Sequence, residues 1–177
     1  PARSEPRRVR NRTRLGSRSY LEGQDRGRPL LERAWLDKVT TAGLIALSGA
    51  EEGDIGRALA AGRSEEAQSL LAAWLALFGD RYYLEIQRTG RPGEDAHIKE
   101  VLALVALLPA PIVATNDVRF LARDEFEAHE ARVCIHDGAR LDDPGRPRRY
   151  TPEQYLKSPA EMAELFADLP EALANSV

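Results

Sequence analysis

Asp117 and Arg119 stand two residues apart near the close of the run Pro111-Ile-Val-Ala-Thr-Asn-Asp-Val-Arg-Phe-Leu121. The run reads as a buried strand that ends by presenting a carboxylate. A carboxylate in that place can hold a divalent cation that activates water. A metal centre would want its next ligand two residues on, because alternate residues of an extended segment share a side. Arg119 fills that place. A guanidinium stays protonated and has no lone pair for a metal, but it neutralises a leftover carboxylate. The pattern therefore points to a site that has lost its metal chemistry, with Asp117 as its remnant.

Other chemistry-bearing residues are scattered. Glu85 alternates with Leu84 and Ile86, so it faces away from them. It either lines the mouth of a barrel or pairs with an arginine, and pairing is favoured. Asn116, beside Asp117, marks the strand end where a β/α enzyme would bind a small ligand. His129 and His136 are seven apart, whereas zinc-binding helices use closer spacing, so His129 reads as a hydrogen-bonded core histidine. His97 is expected to be exposed near a helix start. The single cysteine, Cys134, lies between Val133 and Ile135 and reads as a buried, inert thiol. Asp142 and Asp143 with Arg146, Arg148 and Arg149 read as a solvated, salt-bridged turn. No glycine-rich phosphate loop and no Ser-His-Asp pattern is present.

The elements that must position these residues follow from periodicity. Leu44–Ser48 is a short apolar run closed by Gly49, a buried strand. Ala67, Leu70, Leu71, Trp74, Leu75 and Phe78 form one helix face. Ser64 is placed to cap that helix and Gly79 to end it in a left-handed conformation. Tyr82–Gln87 is aromatic and β-branched, a second strand. A Gly/Pro loop, Arg88–Gly93, precedes a helix carrying Ile98, Val101, Leu102, Val105 and Leu108. Pro111 stops that helix and Ile112–Thr115 is the third strand. Arg123–His136 is a helix with Phe126, His129, Val133 and His136 along one side. This βαβαβα order makes the strands parallel and gives an open doubly wound sheet or part of a barrel. Beyond it, Thr151-Pro-Glu-Gln154 and Ser158-Pro-Ala-Glu161 each read as a capping box. Leu165, Phe166, Leu169, Leu173 and Val177 supply an apolar side to a tail that reads as leading out of the domain.

The 177 residues carry a net charge of −3, 43% hydrophobic and 30% charged residues, a globular composition with no run long enough to span a membrane. One cysteine allows no internal disulfide and suits a cytosolic setting. Charge is uneven: residues 1–14 hold six arginines and one glutamate, net +5, against −8 for the rest. This basic arm has no apolar periodicity and reads as disordered, with nucleic-acid contact as the lesser reading. The chain begins with Pro1, and its only methionine is Met162, so a fragment or processed piece is expected.

Specific stretches then carry a resemblance: Leu44–Gly49 with Gly53–Gly56, Tyr83–Ile86, Val113–Val118, Phe126–Glu130, Ile135–Gly138, Leu141–Pro144, Glu164–Asp168 and Pro170–Asn175. From Leu15 to Val177 the chain resembles the PHP (polymerase and histidinol phosphatase) domain of bacterial replicative DNA polymerase III alpha subunits. Residues 1–14 do not match. The resemblance implies a partial, distorted β/α (TIM-like) barrel over 15–140, then a helical connection over 141–177 toward the polymerase palm. A complete barrel needs on the order of 250 residues. In relatives with an active metal cluster, cysteine follows Leu-Ser-Gly, and here Ala50 does. Those relatives have Asp-x-His where this chain has Asp117-x-Arg119, and often a histidine near Thr89, where none stands.

The resemblance thus implies a structural and docking module inside a cytoplasmic DNA-directed DNA polymerase, a nucleotidyltransferase of DNA replication. No cofactor is expected for this segment, and magnesium for the parent polymerase. The implied partners are the proofreading exonuclease subunit, other holoenzyme subunits and, through the parent protein, DNA. No membrane is involved. Two alternatives remain: an active metal-dependent phosphoesterase or 3′-5′ exonuclease, and a generic β/α enzyme with a ligand near Asn116 and Asp117.

Overall fold

The computed structural model describes residues 5–176. Its centre is a parallel sheet of three strands in the order β3-β4-β5: β3 (Ala46–Leu47), β4 (Tyr82–Gln87) and β5 (Ile112–Thr115). The helix α2 (Asp54–Ala60) with α3 (Ser64–Phe78) crosses from β3 to β4, and α4 (Glu94–Leu107) crosses from β4 to β5. The αβ connections make every strand run the same way, so all three carboxyl ends lie on one edge. The described residues form no closed barrel, as a partial β/α array requires.

The second and third strands fall on the expected residues. Tyr82–Gln87 alternates buried and half-buried side chains, and Leu84 and Ile86 are almost fully buried beneath the helices. They pack with Leu71 and Phe78 of α3 and with Ile98, Val101 and Leu104 of α4. Trp74 stacks flat on Tyr82 at 5.6 Å and donates its indole N–H to Asp54. The first strand is shorter than expected, two residues instead of five, and Ile45 and Leu47 are exposed rather than buried. It sits at the sheet edge with a neighbour on one side only.

Helix ends depart in detail. The N-cap of α3 is Arg63, and Ser64 is its first helical residue without a side-chain cap. Gly79 ends α3 at φ 63° but ψ −131°, outside the left-handed helical region and open only to glycine. The helix α5 (Phe126–Asp137) is preceded by a 3₁₀ turn at Arg123–Glu125; His129, Glu130 and Cys134 are buried on it, whereas His136 is exposed. His97, expected at the surface, is buried on α4. Ser158 caps α6 (Pro159–Leu165) in a full capping box with Glu161. Thr151–Gln154 instead forms a turn, although the Gln154 side-chain oxygen does accept the Thr151 N–H at 3.0 Å.

The two flanks of the sheet differ most from expectation. Residues 5–14 belong to a helix, α1 (Glu5–Leu21), rather than to a disordered arm; residues 1–4 lie outside the described residues. A hairpin of β1 (Gln24–Asp25) and β2 (Arg28–Pro29) follows and packs on α1. The tail, with α6 and α7 (Pro170–Ala174), folds back onto the sheet: Phe166, Leu169 and Ala172 enter the same core as Leu84 and Ile86, and the Asn175 amide donates to Ile112 O at 2.8 Å. Val177 lies outside the described residues.

Candidate functional site

At the carboxyl edge of the sheet each strand delivers one wall of a small polar cavity of about 200 Å³. After β3 the chain turns through Gly49 into Ala50, buried at φ 47°. Gly56 of α2 permits this turn, because a Cβ there would meet the Ala50 carbonyl oxygen at 2.1 Å. From β4 come Glu85 and Gln87, and beyond β5 comes Asp117.

Asp117 is enclosed by donors. Arg119 holds Oδ1 at 2.7 Å, the Gln154 amide donates to Oδ2 at 2.7 Å, and Arg91 Nη1 stands 3.5 Å from Oδ2. The Asp117–Arg119 pair was anticipated from an extended strand end, but Asp117 has φ 42°, so the chain has already left the strand when the pair closes. Arg119 also lies over the Tyr150 ring at 5.3 Å.

Arg91 is the centre of the site, and sequence reasoning missed it. Its side chain is 18% exposed. Nη2 donates to Gln87 Oε1 at 2.6 Å, Nε to Glu94 Oε1 at 3.2 Å and to Thr89 Oγ1 at 3.1 Å, and Nη1 lies 3.9 Å from Glu52. Glu94, at the start of α4, closes the Arg88–Gly93 loop by accepting the N–H groups of Thr89 and Gly90 at 2.6 and 2.9 Å. Burial first, then the Glu94 charge, push the Glu51 carboxyl above its ordinary range. An arginine in a loop just past a strand's carboxyl end was the available signal, and it has no periodicity to display it.

The remaining candidates take structural roles. Among the described residues Glu85 pairs with no arginine: it accepts from the Thr115 hydroxyl at 2.6 Å and the Gln87 amide at 3.3 Å, and it lines the cavity. Asn116 is turned away from the cavity and ties down the tail, donating to Glu153 O at 3.0 Å and Tyr155 O at 2.7 Å. His129 packs between Phe120 and Tyr150, 5.5 and 4.7 Å between ring centres, with Arg132 at 3.0 Å from Nδ1. Burial, then the Arg132 charge, lower its pKa. The Arg146 of the expected solvated turn is instead buried against Glu130 at 2.5 Å, while Arg149 pairs with Asp137.

These donors do not suit a metal ion. The single carboxylate past β5 is already bonded to two arginines and an amide, Ala50 offers no ligand atom, and no group of three His, Cys, Asp or Glu among the described residues has metal-holding geometry. What the arrangement can do chemically is hold four backbone segments together through charge-assisted hydrogen bonds.

Parallel strands joined by helices, with polar residues gathered at the strand carboxyl ends, define a protein of the α/β class, and the three-stranded sheet is consistent with part of a β/α barrel. Residues 3–89, just under half of the chain, match the family model of the PHP domain. The match begins inside the segment expected to fall outside it. The chain is 55% identical over 168 residues to the DNA polymerase III subunit alpha of Pseudomonas aeruginosa. It is 49% identical over 167 residues to the same subunit of Escherichia coli K12 and 47% over 168 to that of Vibrio cholerae. These alignments take in 94 to 95% of this chain and 14% of each relative's length. No helix among the described residues is long and apolar enough to cross a membrane.

Proposed function

We propose that this chain is part of a replicative DNA polymerase III alpha subunit and serves there as a structural and docking module, not as a nuclease. The observation that carries the second half is the saturation of Asp117 by Arg119, Arg91 and Gln154. Two fixed guanidinium charges supply the positive charge that a metal cluster would otherwise bring, and neither gives way to a metal without exposing a partly buried carboxylate. The names of the relatives support the first half.

Within the parent, residues 15–140 are the PHP portion and 141–177 lead to the palm. Nucleotide addition and its magnesium ions belong to the palm. The setting is the cytoplasm. The partners are DNA, the other holoenzyme subunits and the proofreading exonuclease subunit, which would do the hydrolysis this site no longer supports.

Metal analysis by mass spectrometry tests the reading. The wild-type chain is expected to hold no stoichiometric Mn, Fe or Zn, whereas Ala50→Cys/Arg91→Gln/Arg119→His gains a bound metal. Stoichiometric metal in the wild type overturns the scaffold role. Failure of the full-length subunit to co-purify with its exonuclease removes the docking part alone.

A further inference from the structure

The helix α1 carries six arginines and one glutamate, and its two faces are sharply different. One face docks. Asn11, Leu15 and Ser19 follow at intervals of four: the Asn11 amide donates to Val39 O at 2.9 Å and Ala42 O at 3.1 Å, and Leu15 and Ser19 are buried. Arg10 and Arg14, also four apart and exposed, share an outward strip about a third of a turn from that face, and exposed Arg12 lies on the other side of the helix. Arg18, by contrast, is used internally, paired with Glu22 at 2.7 Å and lying over Trp35. Among the described residues no carboxylate stands within ion-pair distance of Arg10, Arg12 or Arg14; Asp37 is influenced by Arg14 only through space. Exposed Arg26 and Arg28 stand on the hairpin that packs against α1.

We propose that the Arg10/Arg14 strip of α1 is a contact surface for the phosphate backbone of DNA. Like charges four apart on a helix repel one another, and a polyanion relieves that cost. Guanidinium forks match phosphate oxygens two by two. The docked face holds the arginines in register on a body whose remaining charge is −8, so a polyanion is attracted here and repelled elsewhere. The choice of DNA among polyanions rests on the polymerase reading above, but the test is independent of metal content.

Fluorescence anisotropy with a labelled duplex of about 20 bp, over salt from about 50 to 200 mM, decides the matter, since each neutralised phosphate contributes about 0.9 to the log–log slope. Arg10→Ala/Arg14→Ala is expected to lower that slope by about 2 and the low-salt affinity at least about tenfold. Alanine favours an exposed helix, so the circular dichroism of the variant is retained. The charge-matched Arg63→Ala/Arg140→Ala leaves binding unchanged. The proposal is overturned if wild type does not bind at low salt, if both double variants lose affinity equally, or if polyglutamate binds the α1 strip as tightly as the duplex.

Discussion

The two ends of this chain are attached to its sheet by different means. At the amino end, the contacts of α1 with the body include buried Leu15 and Ser19, the side-chain amide of Asn11 and the Arg18 guanidinium over the Trp35 ring. At the carboxyl end, Phe166, Leu169 and Ala172 are inside the core itself. Arg88 lies 5.0 Å over the Phe166 ring and grips Asp168 through two hydrogen bonds of 2.6 and 2.7 Å. Both segments are rich in charge, and both read from sequence as extraneous. What separates them is how many apolar side chains each can bury. One end is surface furniture and free to meet a partner; the other is part of the fold.

Removing the core aromatic tests the strong end. Phe166→Ala should cost about 3–5 kcal/mol, and urea denaturation should show it as a single transition at lower midpoint. A loss below about 1 kcal/mol would make the tail peripheral after all. At the weak end, Asn11→Ala removes two hydrogen bonds at the surface and should cost about 1 kcal/mol. Hydrogen exchange should quicken in α1 while α3 amides keep their protection; equal quickening in both would erase the contrast. The smallest effect concerns Glu161, on the capping box of α6. The Tyr155 hydroxyl first, then the Ser158 N–H and hydroxyl, hold its pKa down at about 2 against an ordinary 4.5. A depressed carboxyl contributes stability that is present above about pH 4.5 and is lost as pH falls toward 2. Thermal melts between those limits should fall less steeply for Glu161→Gln, and parallel curves would show that the cap carries no acid dependence.

Much of the sheet was legible because its signals are local. Tyr82–Gln87 and Ile112–Thr115 announce themselves by β-branched and aromatic residues between a glycine-closed helix and a proline. The Asp117–Arg119 pair was legible because its partners are two residues apart. Arg91 and Gln154 were not, since they reach Asp117 from 26 and 37 positions away, and no residue pattern records a bond of that span. His97 was misplaced for a related reason: the loop ahead of α4 sets which side of the helix faces the sheet. The basic composition of residues 1–14 hid a helix whose docked stripe includes half-buried Asn11 and, past residue 14, buried Leu15 and Ser19.

Gln154 is where the tail and the strand-end site meet. Its amide holds Asp117, its carbonyl accepts the Arg119 N–H at 2.8 Å, and Leu156 N–H reaches Phe120 O at 3.1 Å one step further on. Occupancy of Asp117 and placement of the tail are therefore thermodynamically linked, and linkage works equally in both directions. A ligand that claims the carboxylate must compete with the clasp that seats α6 and α7. A pull on those helices, from whatever they are joined to, must in turn loosen the carboxylate by the same free energy.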